Sequence, residues 1–259
     1  MSENNSNEEH WDKGLYKRVV EAIFGFEAKL ASWWAGHAYK RLFWSQWGVQ
    51  PAPEWFNHNI DLFFQWKFQN KNSFWVERGV FSGLALLGGD VLELASGDGF
   101  NAKYFYAKRS KSVTACDFDP SAIKYSSKNN SYRNVKYILA DIRTDMPEGK
   151  FQNIIWDAAI EHFTEAEIEK LMPEIKSRLT EDGIMSGYTI VEGSQVSHGK
   201  MIHQHEYEFK NKEDLERFIT PYFKNVNVFE TIIDDRHNLY FWASDSVLPF
   251  DKEWKHSTK

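Results

Sequence analysis

The chain has 259 residues, 42% of them hydrophobic, and a formal net charge of −6. A chain of this length and composition can bury the core of one large domain with an addition, which excludes an intrinsically disordered chain. The negative net charge argues against a general nucleic-acid-binding surface. No apolar run approaches the roughly 18 residues of a membrane-spanning helix, and the single cysteine, Cys116, cannot form an internal disulfide.

The first 84 residues differ from the rest in composition. Residues 1–10 are acidic and polar and lack the basic start and apolar stretch of a signal peptide, so we expect a disordered tail and a cytoplasmic protein. Residues 11–84 are predicted to form a helical cap, with helices over residues 12–47, 57–68 and 74–87. The cap contains eight of the chain's 11 tryptophans: Trp11, Trp33, Trp34, Trp44, Trp47, Trp55, Trp66 and Trp75. As a group they are compatible with an aromatic lid over a ligand pocket.

A short apolar strand over residues 91–94 leads into a glycine turn and then into a helix-like stretch over residues 101–105. Gly97 and Gly99 let the backbone turn sharply and let a ligand approach the main chain. The helix start that follows offers N–H groups without partners inside the helix. A strand, a glycine turn and a helix in this order are typical of a nucleotide-cofactor site.

Two cofactor classes fit this turn. Gly97, Gly99 and Ala102 satisfy the G-x-G-x-x-G/A pattern of dinucleotide sites, which leaves an NAD(P)-dependent oxidoreductase as one interpretation. Glu93 favours another cofactor, because a carboxylate at the end of the strand would repel the pyrophosphate that a dinucleotide places there. S-adenosylmethionine (SAM) instead brings a sulfonium and an ammonium group, which a carboxylate attracts.

The next strand, predicted over residues 112–117, ends in a second acid. Asp117 lies 18 residues after Gly99, close to the spacing of about 20 residues at which an acid holds ribose hydroxyls. A carboxylate can accept both hydroxyl protons of a cis-diol. Asp119 and Pro120 then predict the start of a helix.

The rest of the chain alternates strands and helices, which predicts a parallel sheet. Thr164 and Glu167 have the spacing of a capping box at the start of a helix that runs to about residue 179, where Asp182-Gly183 is expected to separate it from the next strand. A final helix, with Pro221 near its end, is predicted over residues 212–223. The remaining strands are predicted over residues 154–157, 184–190, 226–232 and 239–243.

With these motifs in this order, the sequence resembles the class I SAM-dependent methyltransferases. The resemblance covers roughly residues 85–243 and rests on LELASGDG (92–99), ACDFDPSAI (115–123), VKYILADIRTDMP (135–147) and FQNIIWDAAIEHF (151–163). It implies a Rossmann-like α/β fold, in which a seven-stranded, mostly parallel sheet has helices on both faces and its last strand inserted antiparallel. Residues 85–259 would form the SAM-binding domain. The family commonly has glycine at the position of Ala95, and because alanine is also small we expect little effect.

The resemblance also implies contacts to SAM. Asp141 falls at the usual contact of the adenine amino group, with Ile142 beside it, and Arg78 could reach the methionine carboxylate. The expected cofactor site consists of Glu93, Ala95, Gly97, Gly99, Asp117, Phe118, Asp141, Ile142, Asp157 and Arg78. S-adenosylhomocysteine would be the product.

Methyl transfer needs a positioned acceptor and a group that removes its proton. Candidate groups lie directly after the fourth strand and in the long loop after the fifth, and both segments should open onto the carboxyl ends of the strands. Because histidine can act as a base near neutral pH, we predict His162 and His205 as catalytic residues, together with Asp157.

The same segments contain a candidate metal site. Glu161, His162, His203 and His205 offer oxygen and nitrogen ligands for a divalent cation. Their pattern resembles that of the metal-assisted small-RNA 3′-end methyltransferases and the ubiquinone-pathway O-methyltransferases. Ala158 stands where the small-RNA enzymes have a second glutamate, so we expect no metal and keep this site as the alternative.

The sequence thus predicts a SAM-dependent methyltransferase that acts on a small molecule, first at oxygen and next at nitrogen. The alternatives are an NAD(P)-dependent oxidoreductase and a non-catalytic SAM-binding subunit. We expect no nucleic-acid acceptor, because the chain lacks the (D/N)-P-P-(Y/F) element that follows the fourth strand in many base-amino methyltransferases. A monomer or a homodimer is expected, and no motif identifies the acceptor.

Overall fold

The computed structural model describes residues 14–49, 55–64, 66–67, 74–194, 205–233 and 236–251. The tail predicted over residues 1–10 and the candidate ligand His203 lie outside these ranges. Among the described residues, no helix is both long enough and apolar enough to cross a membrane.

Seven strands form one sheet: β1 (Asp90–Leu94), β2 (Ser112–Asp117), β3 (Val135–Leu139), β4 (Phe151–Asp157), β5 (Leu179–Ile190), β6 (Asn225–Ile233) and β7 (Arg236–Ser244). Their order in the sheet is β3-β2-β1-β4-β5-β7-β6. The strands β1 to β5 pair in parallel, whereas β7 is antiparallel to both of its neighbours. This arrangement confirms the predicted seven-stranded, mostly parallel sheet with an antiparallel last strand.

The described ranges contain six α-helices: α1 (Leu15–Trp44), α2 (His58–Phe64), α3 (Phe74–Leu84), α4 (Pro120–Asn129), α5 (Glu165–Arg178) and α6 (Lys212–Ile219). A π-helical turn, Ser45–Val49, continues α1, and a short 3₁₀ turn, Ile160–His162, follows β4. The helix predicted after the glycine turn is a π-helical turn, Ala102–Tyr106.

The predicted starts of α4 and α5 are confirmed. The Asp119 carboxylate accepts a hydrogen bond from the Ser121 backbone N–H at 2.7 Å, and Pro120 occupies the first turn of α4. Thr164 and Glu167 form the reciprocal bonds of a capping box at α5. Because caps satisfy backbone donors that lack partners inside the helix, both helices begin at fixed positions beyond strand ends.

Two predicted boundaries at β5 and α6 are wrong. The helix α5 ends at residue 178 and β5 begins at Leu179, so Asp182-Gly183 lies inside the strand rather than before it. The strand starts early because Leu179 pairs with Phe151, and an irregularity in the β4–β5 register accommodates the following residues. The helix α6 ends at Ile219, so Pro221 lies beyond the helix rather than inside it.

The hydrophobic core occupies both faces of the sheet. The larger cluster packs α5 and α6 against β4 and β5, with Trp156, Ile168 and Phe218 among its buried members. A smaller cluster packs β1 and β2 against the segment after the glycine turn. Cys116 lies buried in β2, and burial raises the pKa of its thiol to about 12, which disfavours the reactive thiolate form.

The helix α3 is bonded to the sheet, although the sequence assigned it to the cap. The Glu77 carboxylate accepts hydrogen bonds from the Thr231 and Tyr240 hydroxyls, each at 3.0 Å. The Trp242 indole N–H donates to the Phe81 carbonyl at 3.1 Å. The domain boundary between residues 84 and 85 stays a prediction.

Asn153 joins the segment after α3 to β4. Its side chain is fully buried, accepts a hydrogen bond from the Leu87 backbone N–H at 2.9 Å and donates to the Ala85 carbonyl at 2.8 Å. Both backbone groups would lose their partner if this amide were removed.

We expect Asn153→Ala to lower the free energy of unfolding by about 2–4 kcal/mol, because buried backbone groups without partners carry a desolvation penalty. Urea denaturation measures the change. Asn227→Ala, at an exposed position of β6, is the control and should alter stability by less than about 0.5 kcal/mol. Equal effects of the two substitutions would contradict the assignment.

Candidate active site

The carboxyl ends of the parallel strands border one cavity of about 430 Å³. Its lining includes nine of the ten predicted cofactor residues: Arg78, Glu93, Ala95, Gly97, Asp117, Phe118, Asp141, Ile142 and Asp157. The predicted catalytic residue His162 lines the same cavity. Gly99 does not, and it serves the turn instead: its φ is +72°, and a Cβ there would lie 2.5 Å from the Tyr137 hydroxyl.

Several residues of the turn after β1 have a positive φ, in the left-handed region. The φ of Ala95 is +52° and that of Gly97 is +53°. Glycine adopts this conformation freely, whereas an L-residue loses roughly 1–2 kcal/mol in it. Glycine at the position of Ala95 would therefore avoid a backbone strain that alanine carries. The expectation that alanine has little effect rested on the size of its side chain and did not include this strain.

Asp117 is bonded to the turn through both carboxylate oxygens. Its Oδ2 accepts from the Gly97 backbone N–H at 2.8 Å, and its Oδ1 accepts from the Asp119 backbone N–H at 2.9 Å. These bonds fix the carboxylate at the wall of the cavity with 7% of the residue exposed. Because each carboxylate oxygen has a second lone pair, Asp117 can accept bonds from a ligand as well.

Glu93 lies buried among other acids. Burial raises the pKa of its carboxyl well above the ordinary value of 4.5, and the nearby Asp157 and Asp98 raise it further. A positive charge that approaches a carboxyl in this setting favours its ionised form. Glu93 is thus placed to respond to a cationic ligand.

Arg78 and Asp157 form a buried ion pair in the wall of the cavity. The Arg78 Nε donates to the Asp157 Oδ2 at 2.9 Å, and the Asn101 amide donates to the same oxygen at 3.0 Å. The guanidinium also lies over the ring of Tyr188, 5.1 Å from its centroid. Burial raises the pKa of Asp157, and Arg78 opposes that rise.

Asp141, the acid that follows β3, has a partner that was not predicted from the sequence. Arg143 donates to both carboxylate oxygens of Asp141 and lines the cavity beside it. This hydrogen-bonded pair lowers the pKa of Asp141. Ile142 is buried beside the pair, and Phe118 is 51% exposed at the rim.

The segment before α2 closes one side of the cavity. The His58 Nδ1 lies 2.8 Å from the Asp98 Oδ1, and the His58 backbone N–H donates to the Asp98 Oδ2 at 3.0 Å. The Trp55 indole N–H donates to the Ser121 hydroxyl at 2.9 Å. Trp55 and His58 both line the cavity. Neither was predicted from the sequence as a site residue.

The lid predicted from the tryptophans is formed by few of them. Among those whose side chains the structure describes, Trp55 lines the cavity and Trp47 is buried within the cap. Four others are 59–65% exposed: Trp33, Trp34, Trp44 and Trp66. Trp11 and the side chain of Trp75 lie outside the described set. Composition predicted an aromatic segment, and among its tryptophans with described side chains Trp55 is the one that lines the cavity.

The predicted catalytic residues meet after β4. The backbone N–H groups of Glu206 and Tyr207 donate to the Glu161 carbonyl at 2.9 and 3.1 Å, which brings the loop after β5 against the 3₁₀ turn. The ring centroids of His162 and His205 are consequently 5.2 Å apart. His205 lies beside the main cavity rather than in its lining, and burial lowers the pKa of its imidazole.

Three of the four candidate metal ligands are brought together. One ligand atom each from Glu161, His162 and His205 lie within 4.8 Å of one another. The Glu161 Oε2 also accepts a hydrogen bond from the Thr189 hydroxyl at 3.1 Å. A carboxylate oxygen and two imidazole nitrogens are a donor set that suits several divalent transition metals.

Comparisons with known proteins agree with this geometry. Residues 91–183 match the family model described as a methyltransferase domain. None of the curated protein sequences matches the chain. One similar solved structure is the DhpI–SAH complex, with 16% identity, a TM-score of 0.54, and coverage of 71% of this chain and 90% of that chain.

Another is the N-methyltransferase NodS from Bradyrhizobium japonicum WM9 in complex with S-adenosylhomocysteine, with 15% identity, a TM-score of 0.53, and coverage of 67% of this chain and 88% of that chain. At such identities the likeness establishes the fold. The family match distinguishes between the two cofactors that the glycine turn left open, and it favours SAM over a dinucleotide. Residues 91–183 thus match a methyltransferase domain, and the strand order and the cavity at the strand ends agree with the fold of the SAM-dependent methyltransferases.

Proposed function

We propose that the enzyme transfers the methyl group of SAM to an oxygen atom of a small molecule, with nitrogen as the second choice. The observation that carries the proposal is that His162 shares one cavity with the acids at the ends of the first four strands. A base and the cofactor residues in one enclosed space allow the acceptor to lie between them, as an in-line displacement requires.

We assign each cavity residue to a part of SAM from the hydrogen bonds it makes and from its place in the cavity wall. Asp117, fixed by two backbone N–H groups, would accept from the ribose hydroxyls, and Asp141 would accept from the adenine amino group. Glu93 would face the ammonium group. We assign Arg78, the cation that lines the cavity beside Asp157, to the methionine carboxylate.

The proposed chemistry assigns proton removal to His162. As the acceptor oxygen attacks the methyl group, the S–CH₃ bond breaks, S-adenosylhomocysteine leaves, and the proton of the acceptor passes to the imidazole. His205 would position that imidazole through its ring contact at 5.2 Å. Asp157 is buried in its ion pair with Arg78, so we assign it to cofactor binding rather than to proton removal.

A divalent cation at Glu161, His162 and His205 is the second candidate, and the 4.8 Å grouping of their ligand atoms favours it. A bound cation would act as a Lewis acid and lower the pKa of an acceptor hydroxyl. In that case the two histidines and the glutamate would hold the cation, and His162 would not carry the proton.

Asp117→Ala should weaken SAM binding by roughly 1–3 kcal/mol, because the ribose hydroxyls lose a charged acceptor. Isothermal titration calorimetry measures the affinity. Asp145→Asn removes a similar charge from an exposed position outside the cavity and serves as the control. Unchanged affinity of the Asp117 variant would remove the ribose assignment.

The SAM affinity of the unmodified enzyme should rise with pH between the pKa of Glu93 in the SAM complex and its higher pKa in the unliganded enzyme. Burial and the neighbouring acids raise the pKa of Glu93 in the unliganded enzyme. A cationic cofactor favours its ionised form, so binding within this pH range releases a proton. The SAM affinity should stop rising once the pH exceeds the pKa of Glu93 in the unliganded enzyme.

Proton release on SAM binding is measured by calorimetry in buffers of different ionisation enthalpy. The variant Glu93→Gln keeps the shape of the side chain and cannot ionise, so its affinity should show no such rise. Equal proton release by the variant and the unmodified enzyme would contradict the role of Glu93.

His162→Gln should lower kcat by about 10²–10⁴-fold, the range for loss of a general base, while SAM binding persists. Turnover is followed as S-adenosylhomocysteine formation across a panel of hydroxyl- and amine-bearing acceptors. His237→Gln, on β7 and away from the cavity, is the control. No turnover of any acceptor by the unmodified protein would favour a non-catalytic SAM-binding subunit.

The two candidate roles of His162 differ in their response to chelation. If His162 acts as a base, EDTA should leave the rate unchanged, and Glu161→Gln should cost less activity than His162→Gln. Loss of activity in EDTA that Mn²⁺ or Zn²⁺ restores would instead assign Glu161, His162 and His205 to a cation site.

A further inference from the structure

The helix α1 exposes an apolar face that the described part of the chain leaves uncovered. Its side chains recur every three to four residues, the spacing that places them on one side of a helix. This aromatic face consists of Val19, Ile23, Phe26, Leu30, Trp33, Trp34 and Trp44, which are 45–66% exposed. At about 1.5 Å per residue, α1 is roughly 45 Å long, so the face exceeds the scattered apolar residues of an ordinary surface.

The opposite side of α1 is where the helix is attached. Tyr39 stacks on Phe63 of α2 with ring centroids 3.9 Å apart, and Phe43 stacks on Phe64 at 3.7 Å. At about 100° per residue, Tyr39 and Phe43 point well away from the side that carries Phe26 and Trp33. This attachment involves the C-terminal part of α1 and leaves the aromatic face exposed. Residues 21–35 are exposed on every side of the helix, Phe24 included.

The charge of α1 is opposite to that of the whole chain. The helix carries five basic side chains, Lys17, Arg18, Lys29, Lys40 and Arg41, against two acidic ones, Glu21 and Glu27, a net charge of +3. The chain as a whole carries −6. This separation favours a negatively charged partner for α1 and opposes the pairing of α1 with a second copy of itself.

A cationic groove lies along the aromatic face. It has a volume of about 540 Å³ and is lined by Lys29, Lys40, Lys67, His37 and Trp33, with small residues between them. Lysine ammonium groups beside a tryptophan are the combination that meets phosphate groups at the boundary between lipid head groups and acyl chains. The groove is therefore suited to an anionic lipid head group.

We propose that α1 lies flat on an anionic membrane surface, with its aromatic face in the head-group region and lipid phosphates in the cationic groove. Tryptophan is enriched at this depth of a bilayer, and basic side chains at the edge of an apolar face strengthen binding to anionic lipids. The inference concerns α1 alone and does not depend on the identity of the methyl acceptor.

The test is co-sedimentation of the full-length protein with vesicles of phosphatidylcholine, with or without phosphatidylglycerol. The unmodified protein should bind the anionic vesicles and stay in the supernatant with the neutral ones. The double variant Trp33→Ser and Trp34→Ser should bind at least about tenfold less. Ile232→Ser, at a 69% exposed apolar residue on β6, is the matched control and should bind normally.

The electrostatic part of the proposal is tested by charge reversal. Arg18→Glu with Lys29→Glu should lower binding to anionic vesicles by at least about tenfold, whereas Lys128→Glu with Lys136→Glu, at exposed positions of α4 and β3, should not. High salt should release the unmodified protein.

Three outcomes would overturn the inference. The first is that the unmodified protein does not bind anionic vesicles, and the second is that the tryptophan variant binds as well as the unmodified protein. The third is a dimer in sedimentation velocity that the tryptophan substitutions dissociate, with no vesicle binding, because a second copy of the chain would then cover the aromatic face.

Discussion

The burial of several acids around one cavity is the constraint on which the rest of the site depends. Glu93, Asp98, Asp117 and Asp157 are each at most 7% exposed, and the guanidinium of Arg78 is the buried cation among them. Carboxylates brought together out of water are costly unless protons, hydrogen bonds or cations neutralise them. Backbone N–H groups stabilise the negative charge of Asp117, and Arg78 stabilises that of Asp157. For Glu93, burial and the neighbouring acids favour the protonated form.

This arrangement explains why a cationic cofactor suits the site better than an anionic one. Burial and, after it, the neighbouring acids raise the pKa of Glu93. The positive charges of SAM would favour its ionised form, whereas a pyrophosphate would add negative charge to the same turn. The selectivity therefore resides in the buried electrostatics as much as in the shape of the glycine turn. A turn with the spacing of Gly97, Gly99 and Ala102 fits both cofactors until Glu93 is considered.

The cofactor side of the site was predictable because each residue lies next to a strand end in the sequence. In a parallel sheet the carboxyl ends meet at one edge, so the strand pattern alone places Glu93, Asp117 and Asp157 near one another. Asp141 and Ile142 needed the family resemblance as well. The boundaries of α5 and β5 were not predictable, because Asp182-Gly183 is accommodated by an irregular strand pairing that only the folded sheet supplies.

The acceptor side was less predictable, because its contacts join segments distant in sequence. His58 and Asp98 are 40 residues apart, and no local pattern predicts their pairing. The bonds from the Glu206 and Tyr207 N–H groups to the Glu161 carbonyl involve backbone atoms, which carry no sequence signature. Tryptophan content likewise predicts an aromatic segment without showing which rings face solvent, so it could not distinguish Trp55 from the exposed tryptophans of α1.

The cap is held to the cofactor turn by polar contacts rather than by a continuous apolar interface. The side chains of Gln46 and Trp47, directly after α1, donate to the buried Asp61 of α2, each at 2.8 Å. The helix α2 begins at His58, which is bonded to Asp98 inside the turn. Hydrogen bonds depend more steeply on direction than apolar packing does. These bonds and the stacking of Tyr39 and Phe43 on α2 together set the direction in which α1 projects. The orientation of the aromatic face and the shape of the cofactor turn are thus joined through Asp98.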